Sequence, residues 1–308
     1  MSVDLESLKI FVKVAELGSF TRAGEHLGVP KARVSLRLSA LEAELGVRLL
    51  QRTTRVVRLT PDGEELLPRA RRLAREADEL GAMFQGGRAL RGRVRIDLPV
   101  HLARDVIIPR LPELLARHPQ LEVLISTTDR RVEPLREGFD CVLRIGAPGD
   151  EQLVGKRLGV LRMMNCASPS YLREHGTPLR LEDLDRHLIV HYSTKLGADA
   201  PSFEHPHDGG YRERPMRSVV TVNSADAYVA ACVAGLGIIQ APRIGMLARV
   251  AEGALVEVLP ALPCAPMPVT LLHTHERSVP RRVRAVMSWL AEVLSPHLDA
   301  PGGRDMPR

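Results

Sequence analysis

Between Lys31 and Arg37 the chain reads KARVSLR, and the side chains able to do chemistry share one side of a helix drawn through it. Val34, Leu38, Leu41 and Leu45 step by four, three and four, an apolar stripe meant for a core. Turning about 100° per residue places Ala32, Leu36, Ser39 and Ala43 roughly opposite that stripe, with Arg33 and Ser35 on its flanks. This face is slim, hydroxylic and cationic, with no acid among its first members. Such a face suits a duplex major groove: Ala32, Arg33, Ser35 and Leu36 meet base edges, Leu36 by touching a thymine methyl, while Lys31 and Arg37 reach phosphates.

The flanking segments read as the scaffold for that face. Thr21 to Leu27 forms a short preceding helix, and Gly28-Val29-Pro30 breaks the chain, glycine permitting a left-handed turn and proline suiting a first helical turn. After Gly46, RLLQRTTRVVRLT interleaves β-branched and apolar residues with arginines and reads as a two-stranded hairpin. Its turn, Arg52, Thr53, Thr54 and Arg55, carries cations toward phosphates or a minor groove. Helix, tight turn, helix and basic wing is the winged helix-turn-helix arrangement. Asp4 to Leu17, with Leu5, Leu8, Phe11, Val12 and Ala15, closes the small core.

Thr60-Pro61 opens a further helix with Asp62, Glu64 and Glu65 in its positive first turn. Leu66, Ala70, Leu73, Ala77, Leu80 and Phe84 then follow as a heptad seam. From Pro61 to Gln85 the helix would extend about 37 Å, too long for a domain of this size to bury, so pairing with a second copy is expected. Pro68 should loosen its early turns. The segment 88–92, bracketed by Gly86-Gly87 and Gly92, is a short basic hinge.

A second architecture follows. VRIDLP, LEVLIST and DCVLRIG read as strands alternating with helices at Leu102 to His118 and Val132 to Glu137, the signature of a parallel sheet covered on both faces. Beyond Asn165 the pattern restarts with strands at LIVHY, VVTVN, GIIQA, LVEVL and PVTLLH and helices from Ala225, after GIIQA and at Arg281 to Leu294. The expected organisation is therefore 1–60 winged helix-turn-helix, 61–87 linker helix, 88–92 hinge and 93–300 α/β regulatory domain, with 301–308 a disordered tail. The chain crosses twice between lobes, near Met163 and Met267, giving lobe I as 93–163 with 268–300 and lobe II as 164–267.

In open α/β sheets ligands sit beyond the carboxyl ends of strands, where helix N-termini present free N–H groups. Val100 and His101, Thr127 and Thr128, Arg144 and Gly146, and Asn223, Ser224 and Asp226 occupy such positions and could hold a small carboxylate or another polar metabolite. Thr128, Arg144 and Asn223 lead this set, with His101 tuning specificity.

Composition narrows the class. The 44% hydrophobic content of 308 residues supports real cores, whereas 3% aromatic content offers no platform for stacking single-stranded bases. The net charge is +6 and residues 1–60 alone hold ten Lys and Arg against six acids, which points to a polyanionic partner. No run approaches the ~20 apolar residues of a membrane span, and acids stand where a signal peptide needs positive charge, so a cytoplasmic location is expected. Cys141, Cys166, Cys232 and Cys264 form no C-x-x-C pair and read as reduced, buried thiols. The histidine pairs do not converge as metal ligands, and Gly235-Leu236-Gly237 stands between a helix and a strand, the reverse of the dinucleotide-loop order. No metal, cofactor or catalytic constellation is expected.

The stretch AGEHLGVPKARVSLRLSALEAELGVRLLQRTTRVVRLTPDG resembles the N-terminal signature of the LysR-type transcriptional regulators, and RGRVRI, NCASPSYL and AGLGIIQAP extend the likeness downstream. Leu36 departs from the arginine common at that position. The resemblance implies a bacterial, non-enzymatic regulator: winged helix-turn-helix, linker helix and two-lobed periplasmic-binding-protein-like effector domain. It also implies antiparallel pairing of linker helices, a dimer or tetramer on dyad operator DNA, a small-molecule effector between the lobes, and RNA polymerase as a further partner. Two other readings stand beside it: a two-lobed carrier or enzyme whose N-terminal segment serves only assembly, and a DNA-compacting protein without an effector.

Overall fold

The computed structural model describes residues 3–52, 57–83, 90–129, 134–146, 154–273 and 279–300. Thr53, Thr54, Arg55, Phe84, Gly86, Gly87 and Arg88, and the tail from 301 lie outside the described residues, as does the side chain of Arg52. The chain divides into two compact units, 1–88 with 133–138, and 89–132 with 139–308.

In the first unit α1 (Leu5–Leu17), α2 (Phe20–Leu27) and α3 (Lys31–Leu45) are followed by strands β1 (Leu50–Arg52) and β2 (Val57–Leu59) and by α4 (Pro61–Met83). Asp4 and Ser19 cap α1 and α2 by accepting from backbone amides of their first turns. Gly18, Gly28 and Gly46 end the three helices in the left-handed conformation. The stripe foreseen for α3 is the buried one: Val34, Leu38 and Leu41 join Leu8, Phe11, Val14, Phe20 and Leu49 in one core. β1 and β2 pair antiparallel, Leu50 opposite Leu59. Glu42 of α3 clamps the wing by accepting from the amides of Leu49 and Leu50 at 2.8 and 3.1 Å.

Thr60 starts α4, its hydroxyl accepting from Gly63 N at 3.0 Å. The helix runs through Pro68 uninterrupted. Its seam divides: Leu67 and Ala70 are buried in the first unit's core with Leu66 packed beside them, whereas Leu73 is 45% exposed.

The second unit begins with β3 (Arg91–Leu98), α5 (Val100–Leu102), a π-turn over Ala103–Ile107, α6 (Ile108–Arg117) and β4 (Gln120–Thr127). Sequence periodicity suggested one helix from Leu102 to His118. Pro109 and Pro112 lack the amides that an α ladder needs, and the chain meets this with the π-turn just before them. After α7 (Pro134–Glu137), which groups with the first unit, come β5 (Cys141–Ile145), β6 (Val154–Leu161), β7 (Met163–Ala167) and α8 (Pro169–His175). Then follow β8 (His191–Tyr192), β9 (Ser202–His207), β10 (Gly210–Pro215), β11 (Thr221–Val222), α9 (Ala225–Val233), β12 (Ile239–Pro242) and α10 (Arg243–Ala251). β13 (Val256–Glu257), β14 (Met267–His273) and α11 (Arg281–Leu294) complete the fold.

Lobe I is a five-stranded sheet in the order β4-β3-β5-β14-β6. The parallel expectation holds for β3 with β4 and β5 but fails beyond them, because β14 runs antiparallel to both β5 and β6. The reason is connectivity: β6 leaves for the other lobe and β14 returns from it, so neither is joined to its neighbour by a crossover helix. Lobe II is mixed: β7 runs antiparallel to β12 and β13, whereas β8 pairs parallel with β11 and Ile189 bridges Ile238 in the parallel sense, so the parallel expectation holds there in part. β9 and β10 form a hairpin at its side. β6 and β7 belong to different sheets, as do β13 and β14.

Candidate nucleic-acid interface and ligand cleft

The face of α3 opposite the buried stripe is open. Lys31, Ala32, Arg33 and Leu36 are exposed, Leu36 at 72%, while Ser35 and Arg37 are half-buried. A large apolar side chain that bare, on a helix that buries Val34, Leu38 and Leu41, is able to meet the apolar edge of a base. The two arginines are not idle. Arg33 Nη2 donates to Glu6 Oε1 at 3.1 Å, and Arg37 places Nη1 on Asp4 Oδ2 at 3.1 Å and Nη2 on Glu6 Oε2 at 2.9 Å. Against the upward push of desolvation, the Glu6 amide, the Ser7 hydroxyl and amide, and the Arg37 cation hold the Asp4 carboxyl below its ordinary value. Sequence reasoning assigned Asp4 only to α1 and did not foresee these pairs, which join residues 27 to 33 positions apart.

In the second unit the expected ligand positions gather where the strands of lobe I end and α9 of lobe II begins. Val100 and His101 form the short turn of helix after β3, half-buried; Thr127 is exposed and Thr128 half-buried after β4. Thr128 donates its amide to Leu98 O at 3.2 Å, tying the two strand ends together. Gly146 has φ near 93°, a left-handed conformation that favours glycine at this turn after β5.

Arg144 is committed first to the fold. Its Nη1 donates to Asp97 Oδ2 at 2.9 Å, and the Asp97 side chain is wholly buried. Its Nη2 is buried with no hydrogen-bond partner among the described residues, leaving the N–H groups of that nitrogen unspent there.

On the other lobe Asn223 is exposed, and Ser224 stands at the N-cap of α9 without making a side-chain cap. That duty passes across the cleft: Asp129 Oδ2, at the end of β4, accepts from Ala225 N at 2.8 Å. Asp226 reaches the opposite way, to Arg104 Nη1 at 2.8 Å and His101 Nε2 at 3.5 Å. Arg104 also binds Asp105 Oδ1 at 2.6 Å and sits 2.8 Å from His101 Nδ1. The Asp105 hydrogen bond, outweighing desolvation and joined by Asp226, raises the Arg104 guanidinium above its ordinary range, and the same bond lowers Asp105.

The lobes are thus clasped by a reciprocal pair of carboxylates. Sequence reasoning named Asp226 and His101 but missed Arg104, which it placed only within the helix from Leu102 to His118; the structure puts Arg104 in the π-turn.

Burial pushes all four thiols up, Cys166 and Cys264 to about 12, with neighbouring carboxylates adding to the rise at Cys166 and Cys264. They are free and buried, poor nucleophiles at neutral pH. Among the described residues no cluster of metal-binding side chains occurs and no helix is long and apolar enough to cross a membrane.

A model described as the bacterial regulatory helix-turn-helix protein, lysR family, matches residues 5–64, and the LysR substrate binding domain matches residues 87–295. The chain belongs to the LysR-type transcriptional regulator family. It is a DNA-binding regulator with an effector-binding domain, in a family of regulators rather than enzymes. Among LysR-type relatives it is 42% identical to the uncharacterized HTH-type transcriptional regulator YhjC of Escherichia coli strain K12, covering 96% of this chain and 99% of that protein. It is 37% identical to an HTH-type transcriptional repressor of Pseudomonas aeruginosa strain UCBPP-PA14, covering 94% of this chain and 92% of that one. The solved LysR-type regulator CrgA of Neisseria meningitidis aligns at a TM-score of 0.58 and 27% identity, covering 94% of this chain and 99% of that chain.

Proposed function

We propose that this LysR-type regulator reads a dyad-symmetric operator with Ala32, Arg33, Ser35 and Leu36 on base edges and Lys31 and Arg37 on phosphates, flanked by the Arg52–Arg55 wing. The observation that carries the reading is the split of α3 into a sealed stripe and an open ridge, with Val34 and Leu38 fully buried and Leu36 bare. Two such ridges would be held apart by pairing of α4, where Leu73 is an exposed apolar side chain beyond the first unit's core. The effector would enter between the lobes. Arg144 keeps one buried donor for an oxygen of the ligand, and the Asp129 and Asp226 contacts join the two walls that would separate or close. A carboxylate effector has to compete with those two aspartates. Such a regulator works beside the chromosome, in the cytoplasm, where RNA polymerase is within reach.

Footprinting the intergenic DNA beside its own gene tests the reading. A discrete protected dyad, lost in Arg33→Ala, is expected; diffuse coverage without a boundary would favour DNA compaction instead. Ligand turnover or binding by the second unit, with no salt-sensitive retention of DNA, would favour the carrier or enzyme.

A further inference from the structure

The acids opposite the reading ridge suggest how it behaves without DNA. Arg33 and Arg37 are cations placed for a nucleic acid, yet three ion-pair contacts of 2.9 to 3.1 Å tie them to Asp4 and Glu6. Those are the distances at which a guanidinium holds a phosphate oxygen. Arg37 spreads its two terminal nitrogens over two separate carboxylate oxygens, much as it would over the two non-bridging oxygens of a phosphodiester.

Both acids sit at the N-terminal end of α1, Asp4 as its cap and Glu6 in its first turn, where the helix dipole favours negative charge. They are therefore anchored anions. The four side chains remain 37 to 53% exposed, so the pairs are solvent-screened, weak and open to exchange.

We propose that Asp4 and Glu6 are an internal stand-in for phosphate, holding Arg33 and Arg37 in the DNA-free protein and competing with DNA for the same two guanidinium groups. The proposal rests on the reading of α3 as the DNA-facing ridge. Its consequence is selectivity. A random duplex offers only phosphates and must displace the acids for little net gain, whereas an operator adds base-edge contacts that the acids cannot imitate. Displaced carboxylates also take up cations as DNA releases them, which flattens the salt dependence.

The test uses the full chain with Asp4→Asn and Glu6→Gln together, since asparagine keeps the helix cap. Binding to a random-sequence duplex is followed by fluorescence anisotropy across a salt series. Affinity for random DNA should rise roughly 3- to 10-fold, the worth of the three exposed ion pairs together, and the slope of log K against log salt should steepen by about one. The gain should vanish in an Arg33→Ala, Arg37→Ala background.

An equal gain in that background, or from Glu25→Gln on α2, would show a general charge effect and overturn the proposal. So would a parent that binds duplex with no gain in the variant, and this outcome would leave the ridge reading intact. A parent showing no salt-sensitive binding to any duplex would overturn both. Glu6→Gln alone, which leaves the cap untouched, should give a smaller gain of the same sign.

Discussion

Arg144 is tied into the fold through the buried Asp97, and its removal should have a large, measurable effect on stability. Asp97 lies in β3 with 0% side-chain exposure, and Arg144 in β5 is only 17% exposed. Arg144→Ala removes the guanidinium that donates at 2.9 Å to this wholly buried carboxylate. Breaking a buried pair from one side costs about 3–5 kcal/mol, equivalent to a fall in Tm of roughly 6–20 °C for a unit of this size.

Trp289 supplies the assay. It is the single tryptophan of the chain and is buried at 3% in the same core, so its fluorescence reports unfolding of the second unit. Arg93→Ala serves as the comparison. Its 3.0 Å pair with Glu122 is exposed on both sides, so the loss should stay below about 1 kcal/mol. Replacing both partners, Asp97→Leu with Arg144→Met, should recover most of the lost stability because no buried charge remains. A transition for Arg144→Ala within the range of the Arg93→Ala control would refute the reasoning. A double variant no better than the single one would do so equally.

Two further outcomes follow from local geometry. A Cβ on Gly63 would stand 2.1 Å from Leu49 O, a backbone atom that cannot step aside, so Gly63→Ala should cost about 3 kcal/mol or more and abolish DNA binding. Gly245, with nothing within 4 Å, should instead tolerate alanine and gain about 0.5–1 kcal/mol, and chemical denaturation followed by circular dichroism separates the two. His187 bonds the Tyr171 hydroxyl at 3.1 Å, and burial, with the nearby His175 charge, lowers its pKa against the opposing pull of Asp183. The unfolded chain therefore binds the extra proton more readily. The contribution of His187 to stability is present in full above the unfolded value of about 6.5 and fades as pH falls below it. A urea series at pH 7, 6 and 5 should show that loss, reduced in His187→Gln; an unchanged pH profile in that variant would count against it.

The elements read well wherever they depend on neighbours in sequence. Helical steps of three and four placed Val34, Leu38 and Leu41 inward and Leu36 outward, and glycines at 18, 28 and 46 marked the helix ends. Missing were β6, β7, α8 and the β9-β10 hairpin. SFEHPH and GYRERP are polar strands with prolines and no clean alternation, and the turn between them, with Asp208 and Gly209 at positive φ, was the one available sign.

Residue chemistry and short-range periodicity thus determined the reading head, the strand ends and the family resemblance, since those signals need only a few turns of chain. The antiparallel placing of β14 and β7 and the pairing of charges were decided by the folded chain alone. Arg144 meets Asp97 across 47 positions, Asp129 meets Ala225 across 96, and Arg104 meets Asp226 across 122. An ion pair carries no periodic trace, and its partner is whichever opposite charge the packed backbone brings within about 3 Å.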